Sequence, residues 1–250
     1  MSRIGVIGDL HANLPALEAV LADGGKCDSW LCIGDTVGYG PFPNECVDMV
    51  RGLGALAVVG NHDLGSMGKI DLSSFNAHAR EACRWTGSVL EDSARACLDS
   101  LESKLNGEKW MIVHASPRDP VWEYVLSKAQ AYSNFLEFPR KLCFHGHTHA
   151  PAVFRWSVEA QEADDFTSVE VNIPVDGSEI EVDEDHRFLV NVGSVGQPRD
   201  GDRRSCYVIY DESRQLLEYH RVSYRIEEIQ KRMAEVGLPA FLIDRLSDGH

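Results

Sequence analysis

Several short polar clusters carry residue types that can bind metal or move protons: Asp9-Leu10-His11, Gly34-Asp35, Gly60-Asn61-His62-Asp63, His114 and Gly146-His147-Thr148-His149. Taken singly, most have ordinary structural readings. Asp-x-His is commonly a turn or a cap, Gly-Asp is a turn dipeptide, and one histidine at a strand end is usually a satisfied core group. Gly-His-x-His is harder to dismiss. With 21 glycines and 10 histidines in 250 residues, it is expected by chance only about 0.03 times. Mixed imidazole and carboxylate donors suit Mn, Fe, Ni or Zn better than Mg or Ca. Together the clusters supply two metal sites. Asp9, His11 and His149 serve one, Asn61, His114 and His147 the other. Asp35 bridges them, since one carboxylate can hold two cations about 3.5–4 Å apart. Two dications against Asp9 and Asp35 leave a net positive site that suits phosphate. Water bridged between them becomes hydroxide near neutral pH and attacks phosphorus in line. His62, beside Asn61, can then serve the leaving group. Asp63 either orients His62 or is a turn residue.

The elements that must position these groups repeat one pattern. A short apolar run precedes each cluster: Ile4–Ile7, Ser29–Ile33, Leu56–Val59, Trp110–Val113 and Leu142–Phe144. Runs of this length, rich in Val and Ile, suit buried strands. Helices are expected over 14–22, opened by Asn13 and Pro15, and over 44–52, opened by Pro43-Asn44. Strand–helix alternation implies βαβ units, whose ligands bind beyond the carboxyl ends of the strands. Every cluster falls at that end. Residues 64–105 read as an inserted helical segment that roofs the site, with Asn76 and His78 nearest to it, and a further helix is expected over 127–137. From about 151 strands dominate: Val153–Val158, Val169–Val175, Glu179–Val182 after a hairpin turn at Asp176-Gly177, Phe188–Val192, and a hairpin of Cys206–Tyr210 with Leu216–Arg221. Helices over 225–236 and 239–246 close the chain. One domain over 1–250 is the simplest organisation.

Composition narrows the function. The net charge is −15, yet residues 157–186 hold eleven Asp/Glu and no Lys or Arg, leaving 28 acids against 24 bases elsewhere. That acidic stretch reads as a solvated insertion. With no basic stripe, duplex nucleic acid is disfavoured as a partner. No apolar run approaches the roughly 20 residues needed to span a bilayer. The first apolar stretch ends by Ile7, short for a signal peptide, so a cytoplasmic location is expected. The seven scattered cysteines form no C-x-x-C pair; most are expected to be reduced core residues, and they carry no argument about function.

The ordered set Asp9-x-His11, Gly34-Asp35, Gly60-Asn61-His62-Asp63, His114 and Gly146-His147-x-His149 resembles the calcineurin-like metallophosphoesterase superfamily. The resemblance implies a four-layer α/β/β/α sandwich with two central mixed sheets and a dinuclear metal site at the strand C-terminal ends. It implies the same ligand set, with His62 as the catalytic histidine. Protein serine/threonine phosphatases of this superfamily carry Asp-Arg-Gly after the second motif and Gly-Asn-His-Glu at the third. This chain has Thr36-Val37-Gly38-Tyr39-Gly40 and Gly60-Asn61-His62-Asp63, a departure from that pattern. Val37-Gly38-Tyr39-Gly40-Pro41, His114-Ala115-Ser116-Pro117-Arg118 and Asn191-Val192-Gly193-Ser194-Val195-Gly196-Gln197-Pro198-Arg199 resemble the small prokaryotic phosphodiesterase and diadenosine-tetraphosphatase-like group.

The expected activity is therefore metal-dependent phosphoester hydrolysis, foremost of nucleotide-type phosphodiesters. Phosphomonoesters, phosphoproteins and dinucleoside polyphosphates are the alternatives, and a non-catalytic scaffold is the alternative of another class. Two divalent ions are expected, Mn2+ first, with Fe, Ni or Zn as substitutes. Arg118 and Arg199 follow Ser-Pro and Gln-Pro; each either holds a substrate phosphate or pairs with Asp119 or Asp200. Tyr39 either stacks on a base or packs.

Overall fold

The apolar runs that precede the polar clusters fold as strands covered on both faces, which is why they are continuous rather than alternating in character. The computed structural model describes residues 2–162 and 166–250. The strands, in chain order, are β1 (Arg3–Ile7), β2 (Ser29–Cys32), β3 (Leu56–Ala57), β4 (Lys104–Asn106), β5 (Trp110–Val113) and β6 (Leu142–His145). They continue with β7 (Ala152–Ser157), β8 (Glu170–Asn172), β9 (Glu179–Glu181), β10 (His186–Asn191), β11 (Ser205–Asp211) and β12 (Leu216–Val222). Among the described residues they form two mixed six-stranded sheets, ordered β3-β2-β1-β11-β12-β9 and β4-β5-β6-β10-β7-β8. β1, β2 and β3 run parallel in the first sheet, and β5, β6 and β10 run parallel in the second.

Alternation along each strand sorts side chains into layers. Ile4, Val6, Val208 and Tyr210 of the first sheet meet Leu142, Phe144, Phe188 and Val190 of the second in one shared core. The outer face of the first sheet, with Ile7, Trp30, Tyr207 and Ile209, is covered by α1 (Leu14–Asp23) and α2 (Pro43–Gly52) through Leu17, Val20, Cys46 and Val50. Three helices follow: α3 (Asn61–Ser66), α4 (Ala77–Val89) and α5 (Asp92–Asp99). The outer face of the second sheet, with Cys143, Phe154, Trp156 and Leu189, is covered by α6 (Lys128–Phe135) through Ala131 and Phe135. The result is the expected four-layer sandwich. After α7 (Val158–Glu162), α8 (Ile226–Glu235) and α9 (Ala240–Asp244) pack Ile229, Met233 and Leu242 against Ala82 and Cys83 of α4. This helical cluster includes Tyr39 and Phe75 and walls one side of the polar edge.

Three local expectations change. The end of the 64–105 segment is not helical: β4 pairs antiparallel with β5 as an edge strand. The Asp176-Gly177 turn exists, with Ser178 N–H donating to Val175 O at 3.0 Å and Gly177 at φ +76°, but it closes no hairpin. β8 before it pairs with β7, and β9 after it pairs with β12, so the turn carries the chain from one sheet to the other. The acidic stretch is accordingly more than a solvated insertion. It supplies an edge strand to each sheet and buries Val169 and Val182.

Phe188 is fully buried in the shared core, well away from the polar edge. Phe188→Ala is expected to cost about 3–5 kcal/mol of stability in urea unfolding. A loss below about 1 kcal/mol would show that the two sheets do not rely on packing there.

Candidate metal centre

The loops after β1, β2, β3, β5, β6 and β10 all leave the carboxyl ends of parallel strands, so their polar residues collect along one edge. Backbone hydrogen bonds fasten the loops to each other. Asp9 N–H donates to Gly34 O (3.0 Å), His11 N–H to Asp35 O (2.9 Å) and Ala12 N–H to Thr36 O (2.9 Å). From the second sheet, the 193–199 loop crosses over. Val195 N–H donates to Gly8 O at 3.0 Å, Gly196 N–H to Asp9 O at 2.9 Å, and the Ser194 hydroxyl also to Asp9 O at 2.8 Å. Close approach demands glycine at the junctions: a Cβ on Gly60 would stand 2.1 Å from Asp35 Oδ1, and one on Gly146 2.3 Å from Asp9 Oδ2.

The side chains form two groups that meet at Asp35. Asp9 Oδ1 lies 3.3 Å from His149 Nε2, which lies 3.1 Å from His11 Nε2. His114 Nε2 lies 3.1 Å from both Asn61 Oδ1 and His147 Nδ1. Asp35 Oδ2 is 3.7 Å from His11 Nε2 on one side and 3.4 Å from His114 Nε2 on the other. Asp9, His11, His114, His149 and Asp35 are each at most 1–2% exposed.

Hydrogen bonds outside the cluster decide which atoms point into it. Asp35 Oδ1 accepts the His62 N–H (2.8 Å) and Asp9 Oδ2 accepts the His147 N–H (3.0 Å). Their other oxygens, Asp35 Oδ2 and Asp9 Oδ1, are buried without a hydrogen-bond partner among the described residues, as is His147 Nε2. His114 Nδ1 sits 3.0 Å from Ile33 O, and His149 Nδ1 2.6 Å from Gln197 O. Each Nδ1 is therefore the donor, and each Nε2 turns a bare lone pair inward. At each group a bare nitrogen lone pair faces oxygen: His149 Nε2 meets Asp9 Oδ1, and His114 Nε2 meets Asn61 Oδ1 and Asp35 Oδ2. Only a cation makes that arrangement favourable, so the donor set fits two divalent metal ions. Burial disfavours the charged form of every one of these groups. It pushes Asp9 up to about 6 and Asp35 well above the carboxylate range, and holds His11, His62, His114, His147 and His149 below the ordinary imidazole value. Bound dications would restore the carboxylates to their charged form.

The backbone is strained in the same place. Among the described residues, seven of the eight non-glycine residues at positive φ are Asp9, His11, Ala12, Asp35, Tyr39, His147 and His149, at +48° to +65°. Each left-handed residue costs about 1 kcal/mol or more, and such strain gathers at functional sites.

A cavity of about 260 Å³ opens onto the cluster. His62 lines it and stands against Tyr39 and Phe75, with ring centroids 4.3 and 5.0 Å away. Tyr39 also lines it, packed against His11 at 4.5 Å. Arg199 reaches the cavity over the Tyr39 ring, and its guanidinium donates to Gln197 Oε1 at 2.9 Å and the Tyr39 hydroxyl at 3.3 Å. Arg118 does not line the cavity; it pairs with Glu123 at the surface. Asp63 does not touch the His62 ring. Its two oxygens accept the Val37 and Gly60 N–H groups at 2.9 Å each, which pins the start of α3. Asn76 lines the cavity, as expected for the roof, whereas His78 stacks on Phe241. Sequence patterns missed three groups. Trp122 and Tyr124 come from an irregular loop with no periodic signal, and Tyr124 stacks on His147 at 4.1 Å. Cys83, whose type gave no reason to single it out, sits 3.4 Å from His62 Nδ1.

The family model of the calcineurin-like phosphoesterase superfamily domain matches residues 2–215. An uncharacterised protein of Methanocaldococcus jannaschii is 39% identical over 252 residues, spanning 98% of this chain and 97% of its own. The crystal structure of a metallophosphoesterase from Sphaerobacter thermophilus is 42% identical, covers 100% of this chain and 99% of its own, and superposes with a TM-score of 0.88. A hypothetical protein from Pyrococcus horikoshii OT3, 17% identical with 100% and 99% coverage, shares the fold at a TM-score of 0.78. Among the described residues, no helix is long and apolar enough to cross a membrane. Ordered motifs, sandwich and metal-fitting donor cluster agree with these relatives: the chain belongs to the calcineurin-like phosphoesterase superfamily and is a metallophosphoesterase.

Proposed function

We propose that this protein hydrolyses nucleotide-type phosphodiesters at a dinuclear centre. Asp9, His11 and His149 would hold one ion, Asn61, His114 and His147 the other, and Asp35 would reach both. The convergence of His149 Nε2 on Asp9 Oδ1 and of His114 Nε2 on Asp35 Oδ2 carries this reading. Mixed imidazole and carboxylate donors of this kind accommodate Mn2+, the ion proposed here, and equally Fe, Ni or Zn. When bound, two such cations acidify water and neutralise the non-bridging phosphoryl oxygens.

The remaining tasks belong to the chain. His62, within reach of His11 and Asp35 but outside the two groups, meets the leaving oxygen. Arg199 supports the phosphoryl group from the Tyr39 side, where a guanidinium can offer two parallel donors. Phe75, Trp122 and Tyr124 line the same cavity as an aromatic wall, with Phe75 and Trp122 edge to face at 5.2 Å. Such a wall suits the flat face of a base. A cavity of about 260 Å³ favours one nucleoside-sized group over a folded protein segment. Phosphomonoesters fit the same chemistry and are the reading to exclude.

Hydrolysis of bis-p-nitrophenyl phosphate beside p-nitrophenyl phosphate, in Mn2+ and after chelation, tests this directly. Turnover favouring the diester and abolished by chelator is expected; preference for the monoester would overturn the diester assignment. Asp35→Ala is expected to lose both metals by elemental analysis, and full retention would refute a shared carboxylate. His62→Ala should keep its metals and lose kcat by about 10²–10⁴. Tyr124→Ala should raise KM for nucleotide esters by roughly 10-fold, with little change for bis-p-nitrophenyl phosphate, when the wall recognises a base.

A further inference from the structure

Among the described residues, neither a carboxylate nor a backbone carbonyl orients the His62 ring. His114 and His149 have Ile33 O and Gln197 O behind them. Asp63, the adjacent carboxylate, spends both oxygens on backbone N–H groups. The Nδ1 edge of His62 is closed off by Gly38, where a Cβ would lie 2.7 Å from Nδ1, so the glycine lets the ring sit against the backbone. Within that enclosure the ring's single hydrogen-bond partner among the described residues is Cys83 Sγ, at 3.4 Å. Cys83 projects from the buried face of α4 and is 1% exposed. Burial pushes its thiol up to about 12, so it keeps its proton near neutrality. A neutral thiol is a poor acceptor and a usable, if weak, donor.

We propose that Cys83 is a positioning residue: its S–H donates to His62 Nδ1 and fixes the tautomer that carries its proton on Nε2, the ring nitrogen without a protein partner. His62 then presents an N–H donor, rather than a lone pair, to the oxygen that gains negative charge as the P–O bond breaks. No proton leaves the ring in this arrangement; the donor stabilises developing charge. The opposite tautomer would set a lone pair against that oxygen. The inference rests on the role given to His62 above, and it assigns to a thiol the orienting task that a carboxylate more often performs.

Side-chain ¹⁵N–¹H correlation spectra of the metal-free and zinc-loaded protein read the His62 tautomer without any turnover. The Nε2–H form is expected in the wild type and in Cys83→Ser, which keeps a donor, while Cys83→Ala should give a mixture of both forms. In Mn2+-dependent hydrolysis, Cys83→Ala should lower kcat about 10-fold at unchanged KM and metal content, and Cys83→Ser should recover it to within about 3-fold. An Nδ1–H form in the wild type overturns the proposal, as does a Cys83→Ala protein with unaltered tautomer and kcat. If Cys83→Ala fails to fold, the wild-type tautomer together with the serine variant decides it. If the wild type hydrolyses no phosphoester, the proposed function falls while the metal-free spectra still settle what holds His62.

Discussion

Buried imidazole nitrogens packed against buried carboxylate oxygens constrain the rest of this molecule. Nitrogen and oxygen atoms 3.1–3.7 Å apart around Asp35 repel unless positive charge lies between them. Holding them there before any ion arrives takes a scaffold stiffer than the repulsion. Two features provide it. Each aspartate is fixed through its second oxygen by a backbone N–H, and His114 and His149 are each fixed through Nδ1 by a carbonyl. Left-handed backbone at Asp9, Asp35, His147 and His149 turns successive side chains toward one point, at a conformational cost that the packed sheets sustain.

Neither sheet owns the centre. Asp9, His11 and Asp35 come from the first sheet, His114, His147 and His149 from the second, and the 193–199 loop from the second sheet bonds directly to the Gly8 and Asp9 carbonyls. The interior core of Val6, Val208, Phe144 and Val190 therefore does more than stabilise. It sets the separation between the two halves of the donor set. The helical wall of α4, α8 and α9 adds what the sheets lack: Phe75 and Cys83 against His62, and packing behind Tyr39.

What could be read from the sequence follows from how locally each feature is encoded. Histidine is rare, so His147 and His149 just after Gly146 stood out at once, and Asp35 was marked by the apolar run before it. Burial of the strands on both faces was legible because runs such as Leu142–Phe144 are too apolar for a half-exposed strand, whereas the four-layer order came only through the family resemblance. Pairing partners were not. Asp176-Gly177 has the chemistry of a turn, but nothing in those residues says that the strands on either side join different sheets. β4, three residues long at an edge, has too little pattern to separate from the helix before it. Asp63 was ambiguous because a carboxylate three residues into a Gly60-started helix can cap that helix as readily as steer a neighbouring ring, and here it caps. Tyr124 and Cys83 gain meaning only from what folds against them.

β1 lies between β2 and β11, and its register pairs Val6 with Val208 across some two hundred residues of chain. During synthesis the first three parallel strands can assemble early, yet one side of β1 stays an open hydrogen-bonding edge until β11 has emerged. Unpaired apolar edges of that kind invite pairing with other chains, and closure across so long a loop is slow. The donor loops on β1 and β2 would thus exist before the loop that locks Asp9 and His149 into place. A nascent chain that has not yet delivered Ser205–Asp211 would present that open edge to other chains, so the arrival of β11 is the step that closes the first sheet.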